Sequence, residues 1–132
     1  MLTARAIPTH PLEWVFERLE DHPAYQRRKI FGCEAAYVGG KLRLALIASE
    51  EPWNGLLVAT GREFHDALRQ EWKQLKPHPV LGKWLYLSQN NPRFEAVATA
   101  IVKRVYDGDA RIGVEPRPHK RRQKKGSPQK PR

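Results

Sequence analysis

The sequence predicts an α+β domain: an antiparallel sheet with helices over it, in the order α-β-β-β(β)-α-β(β)-α. Three observations carry that reading. Residues 27–49 divide, at every second position around a Gly39-Gly40 pair, into one apolar and one mixed set, the pattern of an antiparallel hairpin with one face covered. Leu12, Val15, Phe16 and Leu19 recur at i, i+3, i+4 and i+7, and Phe94, Val97, Ala98, Ile101, Val102 and Val105 keep the same spacing near the other end, so a helical face stands on either side of the strands. The strands come in runs and do not alternate singly with helices, which places the helices over an antiparallel sheet.

In chain order, residues 1–7 are expected to fray. Thr9-His10-Pro11 opens the first helix, since proline is tolerated in a first turn, and Asp21-His22-Pro23 closes it, because the residue before proline avoids the helical region. In the hairpin, glycines at 39 and 40 supply positive φ. A simple two-residue turn then pairs Val38 with Lys41, Tyr37 with Leu42, Ala35 with Leu44 and Cys33 with Leu46. That register puts Cys33, Ala35, Tyr37, Leu42, Leu44 and Leu46 on the covered face. Glu34, Ala36, Val38, Lys41, Arg43 and Ala45 fall on the other, with Glu34 diagonal to Arg43. The stretch 50–55 is a turn and 56–59 a short strand. Thr60-Gly61-Arg62-Glu63 fits a capping box, opening a helix that carries Phe64, Ala67, Leu68, Trp72 and Leu75 on one side and has Lys73 and Lys76 in its last turn. Pro77-His78-Pro79 breaks that helix, 82–88 is a strand, and Asn91-Pro92 caps the last helix.

Length and composition fit one domain over 1–115 followed by a disordered basic tail over 116–132. The whole chain has a formal net charge of +10, and Arg117, Lys120, Arg121, Arg122, Lys124, Lys125, Lys130 and Arg132 supply eight positive charges to a tail with no Asp or Glu. Removing those eight from 24 Lys and Arg leaves 16 against 14 acidic residues in 1–115, a net of +2. The folded part is thus nearly neutral and the polycation is an appendage, as in arms that meet nucleic acid. Cys33 is the sole cysteine, so no intrachain disulfide forms. The first eleven residues lack the apolar core of a secretory signal and the longest apolar run, 44–48, is too short to span a bilayer, so a cytoplasmic, membrane-free protein is expected.

Arg28-Lys29-Ile30-Phe31-Gly32, followed by Tyr37-Val38-Gly39-Gly40-Lys41, resembles the opening of the TfoX N-terminal domain family, with its R-x-M-F-G segment, aromatic-containing strand and G-K turn. The order of elements from Leu12 to about Gly113 is similar as well. The resemblance implies a small bacterial protein with an α-β-β-β-α-β-β-α arrangement, related in fold to YjbR-like proteins and to secretion-chaperone-like domains. Ile30 stands where the family commonly has Met, and Cys33 where a second Gly is common. The namesake's additional C-terminal domain is replaced here by the basic tail.

No catalytic constellation emerges. H-E-x-x-H, G-x-S-x-G, Walker A and G-x-G-x-x-G patterns are missing, and His10, His22, His65 and His78 have no metal-ligand spacing, so no cofactor or metal is assigned. Three readings stay open. The tail residues Arg117, Lys120, Arg121, Arg122, Lys124, Lys125 and Lys130 would neutralise phosphates of DNA or RNA without sequence preference; Arg27-Arg28-Lys29 either extends that track or is a charged edge that resists aggregation. A homodimer or protein-partner module of chaperone type is the second, resting on an uncovered sheet face. The third is a ligand pocket from Trp53, Trp72, His78, Lys83 and Trp84, whose alternative is ordinary aromatic packing. Cys33 is expected to act as a buried small hydrophobe rather than a nucleophile.

Overall fold

The computed structural model describes residues 12–30 and 32–115. The expected frayed start, the helix opening at Thr9-His10-Pro11 and the tail over 116–132 lie outside those residues. A 3-10 helix (Glu13–Leu19) leads into four strands, β1 (Tyr25–Ile30), β2 (Cys33–Val38), β3 (Lys41–Ala48) and β4 (Asn54–Val58). A single 3-10 turn, Arg62–Phe64, runs into helix α1 (His65–Glu71); β5 (Lys76–Pro77), β6 (Leu85–Ser88) and helix α2 (Phe94–Tyr106) follow. The six strands form one antiparallel sheet in the spatial order β1-β2-β3-β4-β6-β5. This is the α+β architecture, with the helices gathered on one face.

That face holds the main core. Val15, Phe16 and Leu19 of the first helix, Leu68, Trp72 and Leu75 in and after α1, and the Phe94–Val105 stripe of α2 pack on Ala36, Val38, Leu44, Leu46, Leu56, Val58, Leu85 and Leu87 of the sheet. Periodicity places the first helix correctly, but its bonding is of the tighter kind, with the Val15 N–H donating to the Leu12 carbonyl at 2.9 Å. The second helix is shorter than its pattern predicts. Trp72 turns extended (φ −133°, ψ 95°), which ends α1 at Glu71 and moves Lys76 out of the helix into edge strand β5. Pro77 is tolerated there because an edge strand needs no inward N–H at every position. The capping box does not form: the Thr60 hydroxyl donates to the Arg111 carbonyl at 2.6 Å. Asn91 does serve the last helix, its Oδ1 accepting from the Arg93 N–H at 2.8 Å one residue before α2 begins.

The hairpin differs from expectation in one residue, and the difference reverses a face. Gly39 and Gly40 take φ +65° and +81°, both positive as a primed two-residue turn requires, and Val38 pairs with Lys41 and Tyr37 with Leu42. The register then shifts: Ala36 pairs with Leu44, Ala35 with Ala45, and Glu34 with Leu46. Arg43 is the extra residue of a β-bulge. Because side chains alternate with period two, Leu44 and Leu46 stay under the helices, joined by Ala36 and Val38, while Cys33, Ala35, Tyr37 and Leu42 go to the opposite face.

Arg43 is used where it bulges. Its Nε donates to the Val38 carbonyl at 3.0 Å and its Nη1 to the Ile112 carbonyl at 2.7 Å, so the predicted Glu34 pairing is not made. Burial pulls its guanidinium below the ordinary value. The segment after α2 is thereby strapped across the sheet: Leu42 and Val114 exchange backbone bonds of 3.0 and 2.9 Å, and the Gly113 N–H donates to the Ala59 carbonyl at 2.7 Å. Gly113 sits at φ +138°, and a Cβ there would lie 2.6 Å from Arg43 Nη1, so only glycine fits beneath this side chain.

Two ionic groups fasten the helices. Arg27 on β1 bonds Glu34 of β2 at 2.8 Å and Glu13 of the 3-10 helix at 2.8 Å. Burial works against the Arg27 charge, but the bonds to Glu34 and Glu13 outweigh it and raise the guanidinium above its ordinary value. Glu71 at the end of α1 holds both Arg104 of α2 and Arg111, the latter at 2.9 Å, while Arg111 also grips Asp109 at 2.7 Å. No helix among the described residues is long and apolar enough to cross a membrane. Arg43→Ala strips two carbonyls of a charged donor, so urea unfolding should show a loss of roughly 1–3 kcal/mol. Lys41→Ala, one turn position away and exposed, should stay within about 0.5 kcal/mol; equal losses would remove the bulge's anchoring role.

Candidate functional site

The face turned away from the helices has its own apolar layer. Cys33, Ala45, Ile47, Leu57 and Tyr86 form one patch with Trp53 and Trp84 against it; Ala35, Leu42 and Ala59 form a second with Ile30, Tyr37, Trp84 and Val114. Trp84 belongs to both. No helix of the described residues covers this layer, and small residues at 35, 45 and 59 leave it shallow. The Trp53 loop, the segment 78–84 and the strap at Val114 roof it only in part. Between roof and sheet lies a cavity of about 580 Å³ lined by Ile30, Cys33, Ala45, Ile47, Leu57 and the two tryptophans, with Gly32, Ala48, Ser49 and Leu81 at its remaining walls. Its volume is within the 300–1,000 Å³ typical of small-molecule sites. Among the described residues that line it, the Cys33 thiol is the one ionisable side chain.

The rim is held by a histidine. His78 is 1% exposed. Its Nδ1 accepts the N–H groups of Val80 and Leu81, each at 3.1 Å. Two backbone donors on one nitrogen leave that nitrogen without a hydrogen, so Nε2 carries it and donates to the Pro52 carbonyl at 2.9 Å. The ring lies 4.3 Å from the Trp53 ring centroid and 5.4 Å from that of Tyr86. Tyr86 in turn donates its hydroxyl to the buried Asn54 side chain at the start of β4. Burial pushes the Tyr86 phenol up, opposed by its hydrogen bonds.

Of the five residues the sequence offers as a pocket, the structure brings three together. Trp53, His78 and Trp84 surround the cavity, two as walls and His78 behind the rim. Trp72 lies on the other side of the sheet, in the helical core, with Arg104 5.4 Å above its ring. Lys83 is exposed and is not among the cavity walls; its carbonyl accepts from His65 Nε2 at 2.7 Å. The tail residues fall outside the described residues. In the Arg27-Arg28-Lys29 cluster the side chains part ways: Arg27 turns to the helices, Lys29 approaches Glu34 at 3.9 Å, and Arg28 lies 5.6 Å from the Tyr37 ring on the outer face. Ile30, Cys33, Ala45, Ile47, Leu57 and Leu81 are the cavity residues that spacing alone does not single out. One signal for them is present: 44–48, Leu-Ala-Leu-Ile-Ala, is apolar at both parities, as in a strand covered on both faces.

Among the described residues no group of three or more His, Cys, Asp or Glu is placed to hold a metal ion. No family model matches the chain, and no curated protein or solved structure matches it either.

Cys33 reports on the cavity's dryness. Burial, aided by the neighbouring Glu34 charge, pushes its thiol above the ordinary value. A raised value in the folded state means less thiolate at any given pH, and a stabilising contribution present at lower pH that is lost as pH rises through the folded value. Iodoacetamide should therefore label the native chain more slowly than the urea-unfolded chain, with the native rate climbing at higher pH. Superimposable profiles would place the thiol in water.

Proposed function

We propose that this protein is a binding module whose folded domain takes a small, uncharged, largely apolar ligand into the cavity on the outer face of the sheet. The observation that carries the reading is the cavity itself: about 580 Å³ of space walled by two tryptophans and aliphatic side chains. The selectivity follows from its walls. An ionised group entering it would lose hydration and meet no opposite charge, whereas apolar surface entering it gains about 25 cal/mol per Å² removed from water. Titration of the full chain with N-phenyl-1-naphthylamine, a neutral apolar fluorophore, should show saturable enhancement with a Kd of roughly 10–200 µM, the range that about 0.3–0.4 kcal/mol per heavy atom gives. Ser49 is exposed, lines the cavity and follows Ala45 and Ile47 at the two-residue spacing of the outer face, so Ser49→Trp fills the space without disturbing the core. It should weaken binding about tenfold or more, a loss of 1.4 kcal/mol being enough. Absence of saturation in the parent chain, or indifference to Ser49→Trp, would sink the assignment.

A second reading comes from the sequence. The separation of eight Lys and Arg into 116–132, against a nearly neutral remainder, supports sequence-independent association with DNA or RNA. Fluorescence anisotropy with duplex DNA and single-stranded RNA should show tighter binding by the full chain than by a 1–115 truncation. The full chain should also show a log–log salt slope of about 0.7–0.9 per phosphate contacted. Equal affinities would remove the tail from the account. The motif at 28–32 and 37–41 supports kinship with the TfoX N-terminal family as a further proposal, consistent with a bacterial binding protein.

A further inference from the structure

Resting on the cavity reading, we infer that His78 is the positioning residue of the ligand site, a clasp that joins the two separate pieces of chain forming the cavity's mouth. One piece is the β3–β4 loop with Pro52 and Trp53. The other is the segment from His78 to Trp84, which contributes Leu81 and Trp84 to the walls. The two are remote in sequence, and neither belongs to a helix or strand. Every polar group of His78 is bonded: three of them fold its own segment and Nε2 ties that segment to the other piece. Its N–H donates to the Trp84 carbonyl and its carbonyl accepts from Gly82, both at 2.9 Å, which closes the segment on itself. Nδ1 accepts from Val80 and Leu81, and Nε2 donates across to Pro52. The ring meanwhile supports Trp53 from behind, at 4.3 Å between centroids. The turn so fixed presents two exposed large aliphatic side chains, Val80 at 68% and Leu81 at 39%. Leu81, exposed and in the cavity wall, is surface that a bound ligand would share, and its position is set through a residue that is not itself among the walls.

The test separates this clasp from a general packing role and from the ligand assignment. Cys33 is the only cysteine and lines the cavity, so its alkylation rate measures opening of the mouth without any ligand. In His78→Ala of the full chain, iodoacetamide should label Cys33 about tenfold faster, the change in open population that the loss of a buried hydrogen bond produces. Below the unfolding transition that rate should hardly depend on urea, because local opening exposes little surface, whereas global unfolding steepens with denaturant. His78→Asn keeps an acceptor near Nδ1 and His78→Gln keeps a donor near Nε2, so each retains one half of the clasp. Each should fall between the parent and His78→Ala in labelling rate and in affinity for N-phenyl-1-naphthylamine. Labelling that accelerates only in step with global unfolding, or not at all, overturns the clasp, as does full binding by His78→Ala. Faster, urea-independent labelling in a parent background that never binds the fluorophore leaves the clasp standing and defeats the ligand reading alone.

Discussion

The extra residue at Arg43 decides which side chains lie on which face of this protein. In an antiparallel pair the side-chain period is two, so one inserted residue transfers everything beyond it to the opposite side. Without it, Leu42, Leu44 and Leu46 would share one face with Cys33, Ala35 and Tyr37. With it, Tyr37 and Leu42 meet on the outer face, and Leu44 and Leu46 meet Ala36 and Val38 beneath the helices. The bulge also needs compensation, since the inserted residue has no partner on β2. Arg43 supplies part of it, through its bonds to the carbonyls of Val38 and Ile112, and its own carbonyl accepts from the Ala59 N–H at 3.0 Å. The strap at 112–114 is therefore a consequence of the bulge: Leu42 lies where the strap forms an isolated bridge, and Gly113 passes under the guanidinium.

A sheet apolar on both faces follows, and the two faces are packed differently. Beneath the helices stand leucines and valines that interdigitate with Phe16, Trp72 and Ile101 in a dense core. The outer face is built from alanines, a cysteine and a few larger residues, and what covers it is loop and strap. Loops carry less apolar surface than a helix and cannot fill a shallow layer, so tryptophans at 53 and 84 span the gap and space is left between them and the strands. The cavity is the geometric remainder of small side chains on the sheet and irregular chain above it.

These causes explain what the sequence discloses and what it withholds. The α2 stripe, the Gly39-Gly40 turn and the gathering of helices over an antiparallel sheet are legible because each depends on residues close together in the chain. The bulge is not legible, because Leu42-Arg43-Leu44 alternates as perfectly as any unbulged strand; the register is fixed by contacts with Ile112 and Val114, about seventy residues away. The faces of Cys33 and Tyr37 are misread for that reason. The capping box fails similarly: the turn starts at Arg62 with Gly61 as its cap, and the Thr60 hydroxyl bonds the distant Arg111 carbonyl. For the site, aromatic and histidine content marks Trp53, His78 and Trp84 correctly, and marks Trp72 equally well although it lies across the sheet. Residue type identifies side chains capable of lining a pocket, and only strand parity and the bulge sort them onto one side.

The charges complete the sorting. Among the described residues, the Arg27–Glu13–Glu34 and Glu71–Arg104–Arg111–Asp109 groups fasten the helices to the sheet's edge and to the strap, away from the cavity walls. Such placement is favourable, since partly exposed ion pairs escape the desolvation that a buried pair must overcome. It also leaves the cavity with only neutral walls, while the strongly cationic stretch of the chain begins after Glu115, beyond the strap. A phosphate-bearing partner drawn to that stretch finds nothing in the cavity to neutralise it, and a neutral apolar molecule drawn to the cavity gains nothing from the polycation. The proposed cavity ligand and the proposed phosphate-bearing partner are therefore selected by different chemistries, burial of apolar surface for the first and charge neutralisation for the second.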